Sequence, residues 1–262
     1  MHPILLAILI VAGIGLLCGL LLAVASRLFA VRQDEKTVQL RAVLPGANCG
    51  ACGYSGCDGY AAAMAKGEAA PGLCTPGGAE TAAACGRLLG VEAHAEIKTC
   101  LVRCGGCAQV AGKKADYQGV PTCAAAAQFF GGDKLCAYGC LGYGDCAAVC
   151  PYGAIKIVDG LCTVDPSLCR ACGQCVKTCP KHLLAIVPGS TRGVVRCASH
   201  AKGPVVLKAC SKGCIGCRKC TKVCPQGAVT VEDFLASIDP EKCIGCGECA
   251  KACPNGCITI FG

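Results

Sequence analysis

Three stretches of the chain set cysteines at one spacing: Cys169-x2-Cys172-x2-Cys175-x3-Cys179-Pro180, Cys214-x2-Cys217-x2-Cys220-x3-Cys224-Pro225 and Cys243-x2-Cys246-x2-Cys249-x3-Cys253-Pro254. Thiolates this close in sequence can cap three corners of one iron–sulfur cubane. In two-cluster proteins the fourth cysteine of each run ligates the other cluster, so runs come in pairs. The last two runs give one [4Fe-4S] set of Cys214, Cys217, Cys220 and Cys253, and another of Cys243, Cys246, Cys249 and Cys224. The run from Cys169 has an imperfect partner, because Tyr143 stands between Cys140 and Cys146 where the pattern wants a cysteine. Cys136, just upstream, is the expected replacement. The first module's sets are then Cys136, Cys140, Cys146, Cys179 and Cys169, Cys172, Cys175, Cys150. A three-iron cluster on Cys140, Cys146 and Cys179 is the alternative.

A further group, Cys49-x2-Cys52-x4-Cys57-x16-Cys74, offers four more thiols in a glycine-rich stretch whose backbone can turn tightly. It suits one more [4Fe-4S] cluster and brings the expected number to five. Zinc, which also takes four cysteines, is the competing occupant of all these groups. Cys100, Cys104, Cys107, Cys123, Cys197 and Cys210 could supply a sixth cluster, although their spacing matches no motif. Cys18, Cys85, Cys162 and Cys257 read as buried small hydrophobes. The four histidines form no spaced pair, and His200 is the one candidate ligand among them.

The elements that hold these thiols repeat. Cys123, Cys136, Cys140, Cys146, Cys150, Cys169, Cys172, Cys175 and Cys179 each recur 74 positions later, as does Pro151 at Pro225 and Pro180 at Pro254. A duplicated module follows. Ala154–Val158 before Asp159-Gly160, Ala228–Val231, Leu184–Val187 and Ile258–Ile260 read as short strands, and the stretch after each third cysteine has room only for a helical turn. Residues 79–89 read as a helix. The expected fold class is α+β, with a transmembrane anchor (1–30), a four-cysteine iron–sulfur domain (31–90), a cysteine-containing connector (91–118) and two ferredoxin-like modules (119–192 and 193–262).

Composition agrees. Thirty cysteines with no tryptophan, six tyrosines and five phenylalanines leave too little aromatic surface for an ordinary core, so metal must help to hold the modules. Iron–sulfur sites need thiolates and a reducing compartment, whereas disulfide scaffolds need an oxidising one. The run Ile4 to Ala25 carries no charge and as a helix spans roughly 33 Å, enough for one membrane crossing. A cleaved signal peptide is the rival, since Ala23-Val24-Ala25 is small-x-small. Only Met1, His2 and Pro3 precede the run while Arg27 and Arg32 follow it, which favours a retained anchor with the soluble part in the cytoplasm. Gly15 and Gly19 could pack on another membrane helix. The formal charge of +8 does not point to nucleic acid. Each cluster with four thiolates carries about 2−, so five would bring the holoprotein to roughly −2, and stacking aromatics are scarce. No phosphate loop is present, and the Gly-x-Gly from Gly13 to Gly15 lies inside the apolar run.

The order of parts is specific: an apolar helix, then Leu44-Pro45-Gly46-Ala47-Asn48-Cys49-Gly50-Ala51-Cys52-Gly53-Tyr54-Ser55-Gly56-Cys57, then Cys74-Thr75-Pro76-Gly77-Gly78, then two ferredoxin modules. In this the chain resembles the B subunit of the Rnf electron transport complexes over almost its whole length, in the long form with a doubled module. The resemblance implies an electron-carrying component of a complex that exchanges electrons between ferredoxin and NAD and couples the exchange to ion movement. The implied partners are ferredoxin, other subunits of the complex and, through residues 4–25, the lipid bilayer of the inner (cytoplasmic) membrane. Flavin and nicotinamide sites are expected on other subunits. An iron–sulfur donor to a corrinoid protein or anaerobic reductase, and a zinc-bound interaction scaffold, are the alternatives.

Overall fold

The computed structural model describes residues 3–28 and 34–261; Met1, His2 and Arg32, used above to orient the apolar helix, lie outside the described residues. The apolar run forms α1 (Pro3–Leu28), the one described helix long and apolar enough to cross a membrane. Its side chains are exposed, Leu16 at 74% and Leu22 at 70%, which an aqueous surface would penalise and a bilayer would not.

A small helical unit follows, built from α2 (Glu35–Val43), α3 (Cys57–Ala65) and α4 (Gly78–Leu89). Asp34 caps α2 by accepting from the Lys36 N–H, and Gly90 ends α4 in the left-handed conformation. Leu40, Tyr60, Met64 and Cys85 fill the centre of this unit. The Tyr60 hydroxyl donates to the Ala70 carbonyl (2.9 Å) and accepts from the Leu73 N–H (3.1 Å), which ties the loop before Cys74 to α3. Burial pushes the Tyr60 phenol up to about 12.

The first ferredoxin-like module contains β1 (Lys98–Val102), α5 (Cys123–Gln128), α6 (Asp145–Ala148), β2 (Ile155–Val158), β3 (Leu161–Val164), α7 (Gln174–Thr178) and β4 (Leu184–Pro188). The second contains β5 (Gly193–Val195), α8 (Gly203–Ala209), α9 (Lys219–Val223), β6 (Val229–Glu232), β7 (Leu235–Ile238), α10 (Glu248–Lys251) and β8 (Ile258–Ile260). Each module is a hairpin, β2–β3 or β6–β7, beside a second antiparallel pair, β1–β4 or β5–β8. The four strands and the short helical turns read from sequence are all present.

Two features differ from the sequence reading. β1 arises within the stretch expected to be a connector, yet it pairs with β4 in the register Cys100 opposite Ile186, and Arg103 N–H donates to the Leu183 carbonyl (2.7 Å). In the second module Arg196 N–H donates to the Cys257 carbonyl at the same distance, 2.7 Å, just past β5. The structural counterpart of Arg196-Cys197 is therefore Arg103-Cys104. The 74-residue register matches Cys197 to Cys123 instead. The first module carries an insertion after Cys104 that sequence periodicity cannot see.

Cysteine supplies much of both cores. Cys100, Cys140, Cys146, Cys162 and Cys175 pack with Ile155, Leu161, Leu183 and Leu184 in one, and Cys214, Cys220, Cys249 and Cys257 with Val229, Leu235 and Ile258 in the other.

Candidate iron–sulfur centres

In the helical unit, the loop from Pro45 to Gly56 takes left-handed backbone at Gly46, Asn48, Gly50 and Gly53. Such reversals need glycine or asparagine and fold the loop around its thiols. The Asn48 side-chain oxygen accepts from the Cys57 N–H (2.8 Å), so the start of α3 and the loop are fixed together. Cys49, Cys52, Cys57 and Cys74 are thereby drawn near one another. Burial raises the Cys74 thiol first, and the charges of Cys57, Cys49 and Cys52 raise it further.

The second module brings its two expected quartets together. Cys214, Cys217, Cys220 and Cys253 line one cavity with Ile215, Val231 and Ile258. Cys224, Cys243, Cys246 and Cys249 line another with Pro225, Val229 and Ile260. In the first module Cys150, Cys169, Cys172 and Cys175 share a cavity, as expected.

The fourth expected set is not brought together. Cys140, Cys146 and Cys179 share a cavity with Cys123, whereas Cys136 lies on a different one. The insertion is the reason. It carries Cys123 to the start of α5, where the Asp145 carboxylate accepts from the N–H groups of Cys123 (2.8 Å) and Ala124 (2.9 Å). Burial raises the Cys123 thiol, while the N–H groups of Asp145, Tyr143 and Gly144 turned toward its sulfur lower it. Cys123 thus occupies the loop in which Tyr143 replaces the patterned cysteine. Tyr143 itself packs edge-on against Tyr117, ring centres 5.7 Å apart.

Three cavities hold a fifth thiol beside the four. Cys100 Sγ lies 3.6 Å from Cys175 Sγ, Cys162 Sγ 3.6 Å from Cys146 Sγ, and Cys257 Sγ 3.5 Å from Cys253 Sγ. In each case the buried fifth thiol is raised and a hydrogen-bonded neighbour lowered: Cys175 to about 7 by Cys100, Cys146 by Cys162, and Cys214 to about 6 by Cys257. An S–H that donates to a neighbouring sulfur favours the thiolate there, and the thiolate is the form that binds iron. Cys162, Cys257 and Cys85 are buried as expected, and Cys18 is exposed on α1. Backbone N–H groups also donate to sulfurs of the quartets, from Ala171 to Cys169 (3.4 Å), Ala228 to Cys224 (3.3 Å) and Ala236 to Cys214 (3.4 Å). Such contacts tune cluster potentials.

The three complete module quartets each line a small cavity, and among the described residues no three Cys, His, Asp or Glu side chains are grouped closely enough to hold a single metal ion. His200 places Nδ1 3.3 Å from the Asp233 carbonyl oxygen and lies outside all the quartets.

The centres also neighbour one another. Lys177 Nζ donates to the Cys49 carbonyl (3.2 Å) and Thr75 Oγ1 to the Ala171 carbonyl (3.2 Å), which seats the helical unit against the run from Cys169. Cys140 N–H is 3.4 Å from Cys104 Sγ, and the Cys214 N–H is turned on Cys197.

A helix fit to cross a membrane, joined to two dicluster modules and a further four-cysteine unit, defines a membrane-associated carrier of [4Fe-4S] clusters. Comparison with known families agrees: residues 44–76 match the family described as a putative Fe-S cluster, residues 163–186 a 4Fe-4S binding domain, and residues 213–257 a 4Fe-4S dicluster domain. The chain is 43% identical over 242 residues to the B subunit of the Na(+)-translocating ferredoxin:NAD(+) oxidoreductase complex of Acetobacterium woodii, covering 90% of this chain and 73% of that one. It is 40% identical to the B subunit of the ion-translocating oxidoreductase complex of Methanosarcina acetivorans, over 90% of both chains. It is likewise 40% identical to the B subunit of the proton-translocating ferredoxin:NAD(+) oxidoreductase complex of Clostridium ljungdahlii, over 91% of this chain and 85% of the other. The chain belongs to the family of B subunits of the ion-translocating (Rnf) oxidoreductase complexes.

Proposed function

We propose that this chain is the ferredoxin-facing iron–sulfur component of a membrane complex that moves electrons between ferredoxin and NAD and couples that flow to ion translocation. The observation that carries the reading is the run of neighbouring cysteine quartets from the helical unit that follows α1 to an exposed module at the other end. The clusters supply one-electron storage at potentials spanning roughly −700 to +450 mV according to hydrogen bonding and exposure. The residues of the chain do the rest: they hold each thiolate, donate N–H and S–H bonds to it and exclude water. Five clusters follow from this reading, on Cys49, Cys52, Cys57 and Cys74 and on the four quartets of the modules, the fourth of them Cys140, Cys146 and Cys179 with Cys123.

Cys217 and Cys246 are exposed, while the ligands of the first module are buried or half-buried. Arg218, Lys219 and Lys222 surround Cys217 on the surface, so the second module offers a partner both an accessible sulfur and a basic face. Ferredoxin docks there, with the Cys49 to Cys74 group nearer the membrane. Residues 4–25 cross the inner membrane once, and Arg27 after them favours a cytoplasmic soluble part. A C-terminal reporter active only outside the cytoplasm would reverse that topology.

The test is the rate at which reduced ferredoxin bleaches the holoprotein. Reversing charge at Arg218, Lys219 and Lys222 together should slow it about tenfold at low salt and flatten its salt dependence, with cluster content unchanged. An unchanged rate would put the docking face elsewhere. Stoichiometric zinc with little sulfide in the purified chain would replace electron transfer with a scaffold role.

A further inference from the structure

Of the ten cysteines left over after five quartets, four come together. Cys104, Cys136, Cys197 and Cys210 line one cavity of about 100 Å³ at the junction of the two modules, against about 20 Å³ for the cavity of the Cys214 quartet. Cys104, Cys197 and Cys210 are buried and Cys136 is half-buried. The Cys104 and Cys210 sulfurs are both close to Gly106, where a Cβ would lie 3.6 Å from one and 3.5 Å from the other. The rest of the lining is small or apolar, with Ala111, Val206 and Ala209 among it.

The four positions are two pairs. Arg103-Cys104 and Arg196-Cys197 leave β1 and β5 through the same backbone bond, and each sulfur receives the N–H of the first cysteine in the following run, Cys140 and Cys214 respectively. Cys136 and Cys210 are equivalent as well: Gly139 N–H donates to the Cys136 carbonyl (3.3 Å) and Gly213 N–H to the Cys210 carbonyl (3.2 Å). Each module thus turns the same two cysteines toward one shared space, as two copies do across a two-fold interface. Cys104 and Cys197 also accept an N–H from two residues on, Gly106 (3.4 Å) and Ser199 (3.5 Å), the same contact that Ala171 makes to Cys169.

Among the described residues no carboxylate pairs with the two cations that line the cavity, Lys134 and Arg196. Lys134, 5% exposed, lines it and donates to the carbonyls of Gly106 (3.1 Å) and Gly160 (3.0 Å), while the carboxylate of its neighbour Asp133 pairs with Lys113 instead. Arg196 lines it from the second module, donates to the Cys104 carbonyl (3.1 Å) and leaves a buried Nε without a partner. Buried cations need an anion nearby. A cubane on four thiolates carries about 2−.

We propose that Cys104, Cys136, Cys197 and Cys210 hold a sixth [4Fe-4S] cluster shared between the two modules, and that the first module's Cys140, Cys146 and Cys179 are completed by Cys123. When filled, the site takes one electron from a flanking cluster and gives one to the next, with no bond broken and no proton moved. It stands between the Cys140 and Cys214 quartets and makes one line of centres out of two modules. The proposal rests on the electron-carrier reading.

The experiment is iron and acid-labile sulfide per full-length chain, prepared without oxygen, for the wild type and paired alanine variants. The wild type should hold about 24 iron atoms with equal sulfide. Cys136→Ala and Cys197→Ala should each lose about four, and the double variant no more than either alone. Cys123→Ala combined with Cys197→Ala should lose about eight. About 20 iron atoms in the wild type, or additive losses for Cys136→Ala with Cys197→Ala, would overturn the sixth cluster while leaving electron transfer intact. Zinc without sulfide would instead sink the carrier reading itself. The wild-type count needs no variant to fold.

Discussion

The two ferredoxin-like modules descend from one plan and have been put to different uses. The second keeps the regular spacing and exposes Cys217 and Cys246, with Arg218, Lys219 and Lys222 following Cys217; the first has Tyr143 in place of a patterned cysteine, an insertion that brings Cys123 to the cavity of Cys140, Cys146 and Cys179, and quartet cysteines that are all buried or half-buried. A carrier that must meet a diffusing partner needs an accessible centre, and a carrier in the middle of a relay needs a shielded one. The departures from the repeat are therefore concentrated in the module that lies between the helical unit and the exposed end.

Four sets of substitutions would break or sharpen that contrast. The largest effect is expected at Cys123, the cysteine that the insertion brings to the Cys140 cavity. Cys123→Ala should cost about four iron atoms per chain, and adding Tyr143→Cys, which restores the spacing of the second module, should recover them; iron analysis of the single and double variants decides it. Next is the charge reversal at Arg218, Lys219 and Lys222, with its tenfold slowing of reduction by ferredoxin. The matched reversal of Lys156 and Arg170, exposed on the first module, should leave that rate within a factor of about two. A smaller effect distinguishes two lysines at equivalent positions. Lys134 is buried while Lys208 is exposed. Lys134→Met should lower the potential of one cluster by on the order of tens of millivolts in a monitored redox titration, because a buried cation is poorly screened, and Lys208→Met should not move it.

The smallest lies in the hairpins. Asp159-Gly160 turns β2 into β3 with both residues left-handed, φ 50° and 68°, and Asp233-Phe234 does the same between β6 and β7 at 43° and 62°. A phenylalanine there costs about 1 kcal/mol more than glycine. Phe234→Gly should raise the stability of the second module by that amount in chemical denaturation, and Gly160→Phe should lower that of the first.

Much of this was legible in the sequence, and the exceptions have physical causes. The ferredoxin runs declare themselves because three ligands of each cluster come from one short loop, and the alternation around Ile155 and Val229 marks strands that cover them. The helical unit was legible only at α4, since α2 and α3 are short and their packing depends on Tyr60 and Met64 meeting across the unit. Cys123 was hidden because its reach to the Tyr143 loop is set by an insertion, which spacing rules count as noise. The junction quartet draws two cysteines from each module, and no local pattern records a site assembled from two copies. The one trace in the chain is the repeated Arg-Cys after a strand, at Arg103-Cys104 and Arg196-Cys197. It lies off the 74-residue register and gains meaning only when β1 and β5 are seen to pair alike.

The most direct test of the relay is a stoichiometric reductive titration of the anaerobic holoprotein with reduced ferredoxin, followed by electron paramagnetic resonance. The account predicts uptake of about one electron per cluster, close to six per chain at sufficiently low potential, with signals broadened by spin coupling between neighbouring centres. Uptake of no electrons, or isolated narrow signals with no coupling between them, would contradict a continuous line of clusters through this chain.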